Sequence, residues 1–311
     1  MSEALASHID QFLDHLTSYR HMSVNTVAAY QNDLRQFESY VASSAREGNP
    51  GGNGHPADPV DAAAIAGFVL DMRERGYAEA TVARKVAAVR SFFHFAAEAG
   101  IVAQNPAASV DTPRVRRSMP RAASPEDVQA LIDLGCSGEM ASHLRDRAML
   151  TLLYRSGMRV SELVALDRDD LDGNLGLVRC RGRAGRVRSI PLNEPVRMVL
   201  RDYLVHARPL FVRSGGGTET ALFLNRRGSR LTRQGFWLIM KECAHRAGIH
   251  GTLTPHSLRH SFALQHLEGG STLRDLKELL GHVNISTTQI YMTASRADQR
   301  LADRRSARAP A

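Results

Sequence analysis

Residues 254–291 read TPHSLRHSFALQHLEGGSTLRDLKELLGHVNISTTQIY, and the rest of the chain is organised around them. Their periodicity predicts two helices broken at Gly269 and Gly270, then a short third helix ending near Tyr291. In the first helix His256, Arg259 and His260 lie three and four apart and share a face. A permanently charged guanidinium fork beside imidazole donors suits a phosphate oxygen. In the second helix Leu276, Leu279 and Leu280 form the apolar stripe, and Gly281 ends it, leaving His282 at a helix terminus. Asn284, Ser286 and Thr287 can cap the next helix, which carries Tyr291 nine residues after His282.

A tyrosine oxygen becomes a covalent nucleophile when its neighbours stabilise the charge that develops. On a phosphodiester that takes at least two cations around phosphorus. The upstream candidate for the second is Arg159, in SGMRVSEL at 156–163 after a strongly apolar helix. Blander roles exist for each residue: Arg159 has a local partner in Glu162 three residues on, and a tyrosine on a late helix often only packs. His256 and His260 have the spacing of a zinc pair, but the glutamate of an HExxH motif is missing and no carboxylate is near.

Taken together, GMRVSEL, HSLRHSFA, LLGH and a tyrosine nine residues beyond it resemble the tyrosine recombinases, the phage integrase family, and within them the Xer group. The resemblance covers nearly the whole chain. Its intervals match without gaps: three residues from His256 to Arg259, 23 to His282 and nine to Tyr291. It implies a mainly α catalytic domain with a small β-sheet (α+β), preceded by an all-α, four-helix, SAM-like core-binding domain that forms one jaw of a clamp on DNA. It implies double-stranded DNA as substrate and a homo- or hetero-tetramer with a related recombinase. A DNA translocase is a possible activator, and no metal, cofactor or ATP is used. The group resolves chromosome dimers for segregation at cell division.

The same resemblance distributes the roles. Tyr291 attacks phosphorus to give a 3′-phosphotyrosyl link and a free 5′-hydroxyl. Arg159 and Arg259 hold the nonbridging oxygens, and His282 adds a hydrogen bond. His256 serves as general base or oxygen-binding donor, both open to an imidazole near neutrality. One position departs from the family. Where the family places a hairpin lysine that protonates the leaving oxygen, this chain has Arg183, with Arg181 and Arg186 as alternatives if the turn is shifted. A guanidinium keeps its proton, so it stabilises the leaving oxygen but donates poorly. Two other readings therefore stay open: a phage or transposon integrase of the same chemistry, and a DNA-binding accessory protein that does not cleave.

Charge supports a polyanionic partner. The net charge is +8, but residues 1–106 carry eight basic and twelve acidic residues, whereas residues 107–311 carry 32 and 20. Only three of the 40 basic residues are lysines, Lys85, Lys241 and Lys277. No apolar run approaches the ~18 residues of a membrane span, and MSEALASHIDQF lacks the layout of a signal peptide, so a cytoplasmic protein is expected. Cys136, Cys180 and Cys243 are far apart and odd in number, which reads as reduced thiols.

Three segments follow from patterning. Residues 1–102 carry four amphipathic helices, with stripes Ile9/Phe12/Leu13/Leu16, Tyr30/Leu34/Phe37/Val41, Ile65/Phe68/Val69/Met72 and Val82/Val86/Val89/Phe93. The loop 43–59 is rich in Gly, Pro and Asn. Arg84, Lys85 and Arg90 on the fourth helix are expected to be exposed and able to touch phosphates. Residues 103–123 form a proline-containing basic linker with Arg114, Arg116 and Arg117 as further phosphate contacts. Residues 124–311 open on a Ser124-Pro125-Glu126-Asp127 helix start and contain a predicted hairpin from 177–180 and 187–190. Helices are expected around Val196–Leu204 and Gly235–Ala247. The tail beyond Tyr291 is expected to dock on a neighbouring subunit, with Leu301 as anchor.

Overall fold

The computed structural model describes residues 2–46, 60–111, 122–136, 140–182, 185–215, 217, 219–251 and 253–281. Arg114, Arg116, Arg117, Arg183, His282, Tyr291 and Leu301 lie outside the described residues. The backbone divides into two units, Met1–Arg117 and Ser118–Ala311.

The first unit holds helices α1 (Ser2–Ser18), α2 (Val24–Arg46), α3 (Ala62–Glu74) and α4 (Glu79–Glu98). The predicted stripes turn inward: Ile9, Phe12, Leu16, Leu34, Phe37, Ile65, Phe68, Val86, Val89 and Phe93 are all buried. Phe12 meets Phe92 edge-on at 5.8 Å, and Phe37 meets Phe93 at 6.1 Å, the geometry that ring quadrupoles favour. Asp61 starts α3 by accepting from the Ala64 N–H.

Lys85 corrects an expectation. It is buried, not exposed, and its Nζ donates to Asp33 Oδ1 at 3.0 Å and Gln36 Oε1 at 2.8 Å on α2. The physical reason is register: Lys85 sits three residues after Val82 on the inward face of α4, and burial of its charge is made tolerable by the equally buried Asp33. A phosphate cannot reach that ammonium while α2 and α4 are packed. Neighbouring Arg84 is half exposed and ion-paired with the same Asp33, and Arg90, at the surface, donates to the Val110 carbonyl at 3.2 Å.

In the second unit, α5 (Pro125–Asp133) begins at the N-cap Ser124, whose Oγ accepts from the Asp127 N–H with Pro125 in the first turn. Helix α6 (Met140–Ser156) is buried on nearly every side, with Ala148, Met149, Leu150, Leu152 and Leu153 of its apolar second half all inaccessible and Arg145 of its first half buried as well. After it come α7 (Val160–Ala165) and an antiparallel hairpin of β1 (Leu177–Arg181) and β2 (Val187–Pro191), which pairs Leu177 with Pro191 and Arg181 with Val187.

Next are α8 (Glu194–Asp202), a π-helical turn at Tyr203–Ala207, and α9 (Arg208–Ser214). The segment 219–224 then crosses the core without regular structure, and buried side chains satisfy its carbonyls. Arg208 donates to those of Glu219, Ala221 and Leu222, Tyr203 Oη to Leu222 at 3.0 Å, and Arg145 to Leu224 at 3.2 Å. Helices α10 (Arg233–Arg246), α11 (Pro255–Glu268) and α12 (Leu273–Leu280) complete the described part.

Cys136 and Cys243, distant in sequence, lie side by side in this core with their Sγ atoms 3.9 Å apart and unbonded. Among the described residues no helix is long and apolar enough to cross a membrane.

Candidate active site

Helix α6 stops at Gly157, whose φ of +57° is a left-handed turn. A Cβ there would also lie 2.3 Å from the Phe262 ring of α11, so the turn and α11 need this glycine for two reasons. The turn delivers Arg159 to the N-cap of α7. Its N–H donates to Glu162 Oε2 at 2.8 Å, and its Nη1 to Glu162 Oε1 at 3.0 Å. The local partner seen in the sequence is therefore real. It does not exhaust the guanidinium, whose Nη2 points toward the Gly281 carbonyl at 3.4 Å.

Helix α11 starts with a reciprocal cap. The Ser257 N–H donates to Thr254 Oγ1 at 3.1 Å and the Thr254 N–H to Ser257 Oγ at 2.8 Å, with Pro255 in the first turn. This sets the phase of the helix. His256 is exposed, while Arg259 and His260 are buried, so the shared face that their spacing predicts runs from solvent into the protein. Arg259 donates to the Gly157 carbonyl and to the Leu280 carbonyl, spanning the α6–α7 turn and the end of α12. His266, further along, packs on Phe262, and burial lowers its pKa.

The end of α12 is where these groups meet. Leu276 and Leu280 are buried, Leu279 only partly so, and Gly281 closes the helix in the left-handed region with φ of +62°. Helix C-termini leave carbonyls unpaired and carry partial negative charge, so they attract cations. Here three consecutive carbonyls receive three arginines: Leu279 from Arg188 at 3.1 Å, Leu280 from Arg259, and Gly281 from Arg159. Arg159 and Arg259, a hundred residues apart in the chain, are thereby gathered at the end of α12, whose Gly281 precedes His282 in sequence.

Two residues of this cluster escaped the sequence reading as functional. Glu162 was visible only as a partner for Arg159, and Arg188 was not singled out. A signal for Arg188 exists, because it lies two residues before buried Ile190 on β2 and so shares its inward face. Gly182, just before Arg183, lies beside the same pair: a Cβ on it would be 3.8 Å from Glu162 Oε1.

Burial alone would raise the pKa of Glu162. The bidentate Arg188, the Arg159 N–H and both positive charges outweigh it and pull the value from 4.5 down to about 2. A depressed carboxylate contributes stability that is complete above 4.5 and is lost as pH falls toward 2. Wild type is therefore expected to lose about 3 kcal/mol more than Glu162→Gln across that window in urea melts. Parallel acid profiles would contradict the account of this carboxylate.

Comparison with known proteins identifies the family. Residues 122–298 match the model of the phage integrase family, and residues 9–100 match its N-terminal SAM-like domain. Tyrosine recombinase XerC of Roseiflexus sp. (strain RS-1) is 48% identical over 283 residues, which cover 91% of this chain and 88% of the relative. Tyrosine recombinase XerD of Listeria innocua serovar 6a is 41% identical, covering 91% and 92%. In fold, the chain is similar to the XerH site-specific recombinase bound to palindromic difH substrate in a post-cleavage complex. There the TM-score is 0.72 at 19% identity, over 92% of this chain and 81% of that one. The chain belongs to the phage integrase family, the tyrosine recombinases.

Proposed function

We propose that this chain is an Xer-type site-specific DNA recombinase that resolves chromosome dimers before cell division. The observation that carries the proposal is the convergence of Arg159 and Arg259 on adjacent carbonyls at the end of α12, ten residues before Tyr291 in sequence at Gly281. The curated relatives bearing XerC and XerD names, similar over nine-tenths of the chain, favour the Xer role over that of a mobile-element integrase.

In this proposal Tyr291 Oη attacks the scissile phosphorus and the bond to the 5′ oxygen breaks, that oxygen leaving beside the Arg183 charge and taking its proton from water. Protein and DNA are then joined by a 3′-phosphotyrosyl ester. Attack turns a singly charged diester into a doubly charged transition state, and Arg159 and Arg259 stabilise the added charge on the nonbridging oxygens. His256, exposed at the start of α11, accepts the phenolic proton or donates to an oxygen. His282 supplies a further hydrogen bond. Attack by the 5′-hydroxyl of a second strand reverses the chemistry, and the ester conserves the bond energy, so neither ATP nor a metal enters. The assembly is a tetramer of two dimer pairs on a short duplex site in the cytoplasm, with a DNA translocase as activator and the C-terminal tail joining subunits.

The direct test is to incubate the protein with sheared genomic DNA from its own organism, denature, capture protein-linked fragments and sequence them. A single short site is expected. Binding with no linked fragment would instead support the accessory-protein reading.

Arg183 has a separate test. It fills the position of the family's proton-donating lysine, and a guanidinium is a poor acid. Arg183→Lys is expected to cleave a nicked duplex of the captured site at the wild-type rate or faster. A large loss would show that the chemistry requires the guanidinium fork itself.

A further inference from the structure

Glu162 is nine-tenths buried and accepts four N–H groups, and the division among the donors is uneven. Arg188 on β2 takes both oxygens as a parallel fork, Nη1 to Oε1 at 2.9 Å and Nη2 to Oε2 at 2.8 Å. The Arg159 side chain contributes one N–H, and its backbone another. The strong, geometrically matched pair is thus Arg188–Glu162, although Arg159 is the nearer residue in sequence. With one carboxylate between two guanidiniums, Arg188 neutralises the acid and the charge of Arg159 remains available to an external anion.

A second feature fixes Arg188 there. Its Nε donates to the Leu279 carbonyl of α12, and its guanidinium occupies the space that a side chain on residue 281 would fill. A Cβ at Gly281 would lie 2.9 Å from Arg188 Nη1 and 3.2 Å from Cζ. Gly182, just after β1, is near as well: a Cβ on it would be 3.9 Å from the same Nη1. Arg188 therefore binds Glu162, which also holds Arg159, and the last turn of α12, and it lies beside Gly182 of the hairpin.

We propose that Arg188 is a positioning residue for DNA cleavage: it neutralises Glu162 so that Arg159 presents its full charge to the scissile phosphate. This deepens the recombinase reading and rests on it. Without Arg188, Glu162 would be left to Arg159 alone. That guanidinium would swing into a neutral pair, and the transition state would lose one of its two positive charges. The loss falls on the cleavage step, because the added negative charge appears only there.

The test is a charge-rescue cycle on the nicked duplex of the captured site, read as the single-turnover rate of adduct formation at saturating protein. Arg188→Met is expected to be ~10²-fold slower than wild type, the scale of losing one transition-state charge contact. The double variant Arg188→Met/Glu162→Gln is expected to recover at least about tenfold of that, because removal of the carboxylate frees Arg159. A merely structural bridge predicts no recovery, since both variants break it. Arg188→Met at the wild-type rate, or a double variant no faster than Arg188→Met, overturns the inference while wild-type adduct leaves the recombinase reading intact. Absence of wild-type adduct overturns both. If Arg188→Met shows no folded melting transition, Arg188→Lys takes its place. It keeps the charge and is expected within about tenfold of wild type, and a ~10²-fold loss despite a normal melt counts against the charge role.

Discussion

Tyr291→Phe is expected to bind the recombination site as wild type does and to form no covalent adduct, a fall in cleavage of at least ~10⁴-fold. The substitution deletes one oxygen and keeps the ring. Affinity for duplex DNA comes chiefly from cations on phosphates, which the change leaves alone. Cleavage has no substitute path in the proposed site. Water would have to take the place of the phenol, and a free water lacks the tether to the chain that sets the phenol in position for attack. Gel shift and denaturing gel on the same nicked duplex separate the two effects. Adduct from the phenylalanine variant would remove Tyr291 from its role.

The second large effect is expected at Arg259. Arg259→Lys retains a positive charge but gives up the planar fork that reaches the Gly157 and Leu280 carbonyls together. Cleavage is expected to fall by ~10²–10³-fold, the range seen when a preorganised oxyanion donor is removed. Stability should also fall. Arg259 is buried, and an ammonium lacks the two divergent nitrogens of the guanidinium that are set for these two carbonyls, so one of them is expected to be left unpaired. An unpaired buried carbonyl costs about 1–3 kcal/mol, which lowers Tm by roughly 2–9 °C in a unit of this size. The two readouts are separable, because single-turnover cleavage can be measured well below the melting transition. Wild-type cleavage in a folded Arg259→Lys protein would mean that the fork serves the fold alone.

Much of the architecture is legible because simple periods govern it. Ile9, Phe12 and Leu16 repeat at the interval of a helix and are buried; 177–180 and 187–190 alternate and pair. The stop at Gly281 and the start at Ser124 follow from backbone chemistry that acts within a few residues. The misreading of Lys85 came from weighing residue type above position: the spacing that places Val82, Val86 and Val89 inside places Lys85 there too. Segment 219–224 had no period to read, since its order comes from Arg208, Tyr203 and Arg145, which reach it from other elements.

The candidate site divides along the same line. The spacings of Arg159, His256 and Arg259 pointed to chemistry because each sits in a short local motif. The contact of Arg188 with Glu162 joins residues 26 apart, and its contact with Leu279 joins residues 91 apart. Only the folded chain brings those together.

The central claim is that a phenolic oxygen at residue 291 becomes the link between protein and DNA. Wild-type protein trapped on a nicked duplex of its site, digested with protease and nuclease, and mapped by mass spectrometry tests it most directly. One modified peptide is expected, with a 3′-phosphoryl nucleotide on Tyr291 and a free 5′-hydroxyl on the released strand. A nucleotide on any other residue, or a 5′-phosphoryl link, would contradict it.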